Sequence, residues 1–267
     1  MLAVVGCGGG SQQPAPAPPP PPIVNIPGNP ELPPAPELDC DAIASQTGSP
    51  NLGMNVLPGG VWDGSITNVT RKQNSFIQAM VGEHGRFALT YYPSNAAVSG
   101  SMDILGDEFA GVGLAFADQG DTWSDGSAVT EFATAGQISE RASITGTWST
   151  ASGDSGCFEL DRYYDYAYEE MSAVNLLAGL WLGDPDLSVN QDGSFFGQDS
   201  SGCSWNGEFR MIDAQYNMYD VVAEISGCGK AGQYTGLAYR DYVFVPERAL
   251  LMAINDSNRF IRLHLDD

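Results

Sequence analysis

The 267-residue chain carries 33 acidic and 11 basic residues, a net charge of −22. With no basic stripe to neutralise phosphates, nucleic acid is excluded as a partner, and electrostatic attachment to anionic lipid is equally disfavoured. Hydrophobic residues make up 43% of the chain, enough for one large or two small packed domains, yet no apolar run is long enough to cross a bilayer as a helix.

Every Lys and Arg lies at or after Arg71. The short apolar run Leu2–Val5 has no basic residue before it, so residues 1–6 are expected to be the remnant of a secretory signal. Val4-Val5-Gly6-Cys7 resembles a bacterial lipobox. That resemblance implies cleavage before Cys7 and acylation of Cys7 as the new N-terminus. With Gly8 rather than Asp following, it also implies sorting to the Gram-negative outer membrane, facing either the periplasm or the exterior. Each buried acyl CH₂ contributes about 0.8 kcal/mol, so several chains hold a protein on a membrane stably. Residues 7–58 then read as a linker. Gly8 to Gln13 gives slack, and Pro14 to Pro22 is expected to be an extended stalk of about 3.1 Å per residue. The stretch to Pro58 is too rich in Pro, Asn, Gly and Ser to bury much.

Two segments frame the remainder: Gly60-Val61-Trp62-Asp63-Gly64 and Gly179-Leu180-Trp181-Leu182-Gly183. Each heads about a hundred residues of short alternating runs broken by turn residues, so each is expected to open a β-unit with Trp62 or Trp181 plugging the floor of its core. In residues 59–164 the runs predict strands at 61–67, 76–81, 86–92, 97–105, 109–117, 128–135, 139–149 and 157–163. Turn signals such as Glu83-His84-Gly85, Gly106-Asp107, Asp125-Gly126 and Ala135-Gly136 separate them. Alternation as in Phe87, Leu89 and Tyr91 predicts up-and-down antiparallel pairing. Closing into a barrel would remove exposed edges, with an open sandwich as the alternative. Gly100, Gly111, Gly113 and Gly146 inside strands fit the tight coiling of a narrow barrel.

In residues 165–267, apolar positions at i, i+3 and i+4 between Tyr166 and Leu177 predict a short helix stopped by Gly179. Strands follow at 180–183, 186–189, 194–198, 203–212, 218–226 and 233–239, then 242–245 together with 249–254, and finally 259–265. The expected fold is therefore all-β: two tandem small antiparallel up-and-down barrels of about eight strands each, joined by a short helix.

Apart from Cys7 there are four cysteines, Cys40, Cys157, Cys203 and Cys228. In an exported chain these read as two disulfides with three possible connectivities. Cys203 and Cys228 lie at the open end of one predicted hairpin, near disulfide range. Their side chains differ in strand parity, which a bulge near Gly227 would reconcile. Cys40 and Cys157 then pair by elimination, tying the linker to the first unit.

Candidate chemistry is sparse. His84 falls in a turn and His264 in the last strand, both expected at the surface, and two histidines alone build no triad or zinc site within one unit. Asp118, Asp121 and Asp125, and separately Asp184, Asp186, Asn190 and Asp192, invite a Ca²⁺ reading but lack a fixed ligand spacing; turn chemistry explains them. Glu169-Glu170 reads as a helix face rather than a glycosidase pair. No catalytic residue, metal or other cofactor is expected.

Residues 192–207 (Asp-Gly-Ser-Phe through Gly-Gln-Asp-Ser-Ser-Gly-Cys-Ser-Trp-Asn-Gly), Gly227-Cys228 and Gly232-Gln233-Tyr234-Thr235-Gly236 resemble a group of Gram-negative outer-membrane lipoproteins without an assigned activity. Gly60–Gly64, Ser139-Glu140-Arg141 and Gly146-Thr147-Trp148 match more loosely. The resemblance implies a lipid anchor and a β-barrel body. The Gly-x-Trp heads also look weakly lipocalin-like. The expected function is a non-enzymatic envelope or surface module for binding or interaction, its partner, a protein or a small apolar ligand, left open; the alternative is a lipocalin-like carrier of a small apolar ligand within one barrel.

Overall fold

The computed structural model describes residues 34–46, 51, 53–162, 168–244 and 247–267. Cys7 and the proline-rich stretch lie outside the described residues. Strands β1 (Gly60–Asn68), β2 (Gln73–Val81), β3 (Arg86–Tyr92), β4 (Ala97–Leu105), β5 (Glu108–Phe116), β6 (Val129–Ser139), β7 (Ser143–Thr150) and β8 (Ser155–Arg162) form the first sheet. It closes on itself, β1 pairing antiparallel with both β2 and β8. A second sheet holds β9 (Gly179–Trp181), β10 (Asp186–Val189), β11 (Ser194–Gln198), β12 (Ser204–Met211), β13 (Tyr219–Ser226), β14 (Gly232–Phe244), β15 (Glu247–Asn255) and β16 (Phe260–Asp266) in sequential order. Its seam between β9 and β16 is spanned by one bridge, Leu182 to Asp266. The architecture is thus two eight-stranded antiparallel barrels, one closed and one nearly closed, as expected.

Alternation sorts the side chains. Ile77, Ala79 and Val81 of β2 and Phe87 and Leu89 of β3 point into the first barrel, with Trp62 fully buried among them. Trp181, Phe195, Trp205, Phe209 and Tyr234 fill the second. Narrow barrels crowd their walls, and both solve this by laying an aromatic ring over a glycine on the next strand. Phe87 faces Gly100, Phe158 faces Gly146 and Phe195 faces Gly207. A Cβ on Gly100 would sit 2.9 Å from the Phe87 ring and 2.9 Å from the Gly113 Cα, so the glycines provide space where a methyl group would overpack the wall.

Three local expectations change. The turn expected at Ala135-Gly136 is absent, because β6 runs on to Ser139 with Gly136 opposite Gly146. Gly136 supplies room there: its Cβ would lie 2.6 Å from the Gly146 Cα. The reversal comes at Glu140–Ala142, where Arg141 takes φ 59°, an uncommon conformation for a side-chain-bearing residue. The break expected after Tyr239 is also absent, since β14 continues to Phe244. Its Arg240 stays in the ladder although buried, because Asn217 Nδ2 donates to the Arg240 carbonyl at 2.7 Å. Of the expected connecting helix, residues 166 and 167 lie outside the described residues; Tyr168 is helical, and a separate four-residue 3-10 helix follows at Val174–Leu177. Glu169 and Glu170 lie before it and not on it, and pair with Arg162 of β8 and Arg240 of β14 respectively.

Part of the expected linker is fixed in place. Helix α1 (Cys40–Gln46) packs on β7 and β8, Leu38 N–H donates to Thr67 Oγ1 at 3.0 Å, and Val56 N–H donates to the Gly106 carbonyl at 2.9 Å.

The barrels share a dry junction. Val61, Met80 and Ala88 on the outside of β1–β3 pack with Leu237, Tyr239, Leu251 and Ala253 on the outside of β14 and β15, together with Tyr168 and Met218. These strands are buried on both faces, which is why Arg86–Tyr92 and Ala249–Ile254 read as nearly continuous apolar runs. Around this junction, Arg141 bonds Glu83 at 2.6 Å and its guanidinium lies over the rings of Tyr216 (4.4 Å) and Tyr168 (5.2 Å). Asp220 of β13 accepts from Arg86 at 3.1 Å and lies 3.2 Å from His84.

Asp63 is half-buried beside this junction, opposite Gln78 of β2 and Asp161 of β8. Burial pushes its carboxyl up to about 6, against the lowering influence of Gln78 and then Arg262. A carboxyl raised on folding destabilises the folded state at pH values above its folded pKa, and that deficit shrinks as pH falls through the folded value toward the unfolded one. Asp63→Asn is therefore expected to melt at a higher temperature than the parent at pH 7.5. Thermal melts across pH should show the gap narrowing between about pH 6 and 4; a gap constant over that window refutes burial as the cause.

Candidate functional site

The first barrel opens at the end formed by the β1–β2, β3–β4, β5–β6 and β7–β8 connections. A cleft of about 480 Å³ lies there, lined by Ile66, Asn68, Tyr91, Trp123, Trp148 and the exposed rim residues Gln73 and Asn74, among others. Its volume falls in the usual small-ligand range of about 300–1,000 Å³. Alternation explains the aromatic lining. Tyr91 continues the inward series Phe87 and Leu89 at the last turn of β3, and Trp148 points inward from β7, where its ring stacks on Phe132 at 6.1 Å.

Trp123 belongs to the β5–β6 loop, residues 117–128, which folds over the mouth. Its indole N–H donates to the Ala115 carbonyl at 3.1 Å, and the Arg71 guanidinium lies 5.6 Å from its ring. The loop is held by Asp154, whose side chain is fully buried. Asp154 accepts from Arg71 Nε at 2.7 Å, the Ser124 N–H at 2.9 Å, the Ser124 hydroxyl at 2.8 Å, the Ser152 hydroxyl at 3.2 Å and Asn68 Nδ2 at 3.3 Å. Burial alone would raise this carboxyl, but the donors outweigh it and hold it at about 2. Arg71 also donates to the Thr122 carbonyl at 2.7 Å, so its charge is already engaged.

Two polar atoms of the cleft residues stand apart. Tyr91 Oη and Trp148 Nε1 are both buried and have no hydrogen-bond partner among the described residues. Burial, and after it the Asp154 charge, push the Tyr91 phenol above its ordinary value, so it remains an O–H. A buried donor left unmade costs about 1–3 kcal/mol. Such a cost, borne twice in one cleft, marks a place for a ligand or ordered water to supply the missing acceptors.

Deeper in the barrel, Phe87, Leu89, Phe109, Phe132 and Phe158 surround a void of about 30 Å³, room for roughly one or two waters. The interior is filled, so the cleft ends at the mouth.

The residues singled out from sequence fall elsewhere. Cys7 lies outside the described residues. Cys40 pairs with Cys157 at a Cα–Cα distance of 5.3 Å, and Cys203 with Cys228 at 5.1 Å. The β12–β13 ladder, continued one step beyond Ser204–Ser226, places Gly227 opposite Cys203; the left-handed φ of 79° at Gly227 brings Cys228 back into range. Trp62 (0% exposed) and Trp181 (2%) sit in the two cores, the latter donating to the Leu177 carbonyl at 2.8 Å. Asp118, Asp121 and Asp125 cap turn N–H groups at Gln119, Thr122 and Ser127. Asp184, Asp186 and Asp192 do the same at Ser200, Gly183 and Ser194. Among the described residues no three His, Cys, Asp or Glu side chains gather in a way that would hold a metal ion. His84 and His264 do not line the cleft.

Tyr91, Trp123, Trp148, Arg71 and Asp154 were not legible as a site. The available signal was that Tyr91 and Trp148 each fall at the mouth end of an alternating inward series.

The chain matches no protein-family model, and comparison with curated proteins and with solved structures finds no match.

Proposed function

We propose that this protein is a non-enzymatic binding module of the Gram-negative envelope, anchored in the outer membrane through acyl chains on Cys7 and presenting the mouth of its first barrel to a ligand. The observation that carries the binding role is the cleft at that mouth, where Tyr91 Oη and Trp148 Nε1 are buried without a hydrogen-bond partner among the described residues. A preformed concavity with a few convergent polar groups is the usual form of a small-molecule site. Two disulfides suit an oxidising compartment, and the charge of −22 suits an exported surface kept apart by repulsion. The lipobox-like Val4-Val5-Gly6-Cys7 and the proline-rich run after it support the anchor and its spacer. An apolar carrier role draws no support from the first barrel's 30 Å³ interior void.

The anchor has a direct test. Cys7→Ser is expected to move the protein from the membrane pellet to the soluble fraction on cell fractionation, and unchanged pelleting overturns it. The binding role is tested by ¹⁵N-NMR of the full chain with a fragment library. Hits should shift the indole N–H signals of Trp123 and Trp148, and a library that leaves both unmoved overturns the site.

A further inference from the structure

We infer that the ligand of the first barrel's mouth is a neutral saccharide; this rests on reading the cleft as a binding site and names what it binds. The argument starts from the two unpartnered atoms. An indole N–H can only donate, so whatever meets Trp148 Nε1 must bring an acceptor. Tyr91, held as a phenol, donates as well and can also accept. A hydrocarbon ligand satisfies neither, and a purely cationic one can donate to Tyr91 but leaves Trp148 Nε1 without an acceptor.

Charge removes the next class. Among the described residues Arg71 is the single cation lining the cleft, and it is already bound to Asp154 and the Thr122 carbonyl. Asp118 and Asp121 stand on the same lining, and hydrogen bonds from Asn95 and Gln119 hold the Asp118 carboxyl below its ordinary value. An anion entering here would meet two carboxylates and a chain of net charge −22 with no free cation to receive it. Phosphorylated and carboxylated ligands are thereby disfavoured.

Polarity narrows the remainder. The lining mixes aromatic rings at Tyr91, Trp123 and Trp148 with exposed amides at Gln73 and Asn74 and the hydroxyl residues Ser75 and Ser94. Amides and hydroxyls both donate and accept, which suits a ligand whose groups do the same. A sugar ring presents hydroxyls around its edge and C–H groups on its faces, carries no charge, and has oxygen acceptors for the two buried donors.

The test is a titration of ¹⁵N-labelled full chain with cellobiose, maltotriose and N,N′-diacetylchitobiose. At least one is expected to shift the Trp148 and Trp123 indole signals saturably. Trp148→Phe keeps an aromatic ring at the position but removes the pyrrole half of the indole together with its N–H, whereas Tyr91→Phe removes only the hydroxyl. A lost hydrogen bond is worth about 0.5–1.5 kcal/mol, so Tyr91→Phe should weaken binding by roughly 3- to 10-fold and Trp148→Phe, which also loses ring contact, by at least as much. Tyr91→Phe should fold at least as stably as the parent, because it deletes an unpaired buried hydroxyl; this keeps the test readable even if Trp148→Phe does not fold. Laurate, glucose 6-phosphate and tetra-alanine are the contrasting probes. If one of them shifts the two indoles and no saccharide does, the saccharide assignment falls while the cleft stands as a binding site. If no probe moves either signal, both fall.

Discussion

Replacing Cys40 and Cys157 together with alanine is expected to lower the free energy of unfolding by about 4 kcal/mol, more than replacing Cys203 and Cys228, for which about 3 kcal/mol is expected. The difference follows from loop length. The first disulfide joins residues 117 apart and the second residues 25 apart, and in the chain-entropy account the longer loop removes more freedom from the unfolded chain. The first bond has a further role. It clamps α1 against β7 and β8, where Ile43 is buried and Cys157 is wholly inaccessible. Urea unfolding of the two double-alanine variants beside the parent measures both effects. The reverse order would show that local packing, and not loop closure, sets the contribution.

These disulfides also show where sequence reasoning reached and where it stopped. The pairing was legible because hairpin geometry depends on neighbours in the chain: the spacing of Cys203 and Cys228 about one turn decides whether they meet, and their parity mismatch located the backbone irregularity at Gly227. Strand positions were legible for the same reason. Gly136 misled because glycine has two uses, reversing the chain and making room, and only the register against Gly146 tells which applies. Arg141 was illegible as a turn residue because its left-handed conformation is sustained by partners far away in sequence, Glu83, Tyr168 and Tyr216. The junction left a faint trace in the continuous apolar runs of β3 and β15, but which runs face each other depends on the placement of whole barrels. The mouth cleft is assembled from four separate segments, and the feature that marks it, a pair of donors without acceptors, exists only once those segments are in place.

Asp154→Ala is expected to cost about 3 kcal/mol, because removing one member of a buried charge-paired network strands the others. Arg71, the Ser124 N–H and the hydroxyls of Ser124 and Ser152 all lose their acceptor together. Part of the charge of Arg71 can turn to solvent, since its side chain is 23% exposed, which keeps the figure at the lower end of such losses. The pH dependence separates the charge from the shape. The folded carboxyl, at about 2, lies below its unfolded value of 3.8, so its stabilisation is present above pH 3.8 and is lost as pH falls through that value toward 2. Asp154→Asn keeps the shape and should remove this dependence, its melting temperature converging on that of the parent as the pH approaches 2. The functional consequence follows from the position of Ser124, next to Trp123 in the loop over the mouth. With Asp154 gone, the loop keeps Trp123 bound to Ala115 but loses its tie to the β7–β8 turn. Hydrogen exchange at the Trp123 indole N–H should therefore accelerate at least tenfold in Asp154→Ala, while the Trp181 indole in the second barrel exchanges at its parental rate. Equal acceleration at both would mean that the substitution lowers global stability without freeing the loop, and the cleft would then owe its shape to the barrel wall alone.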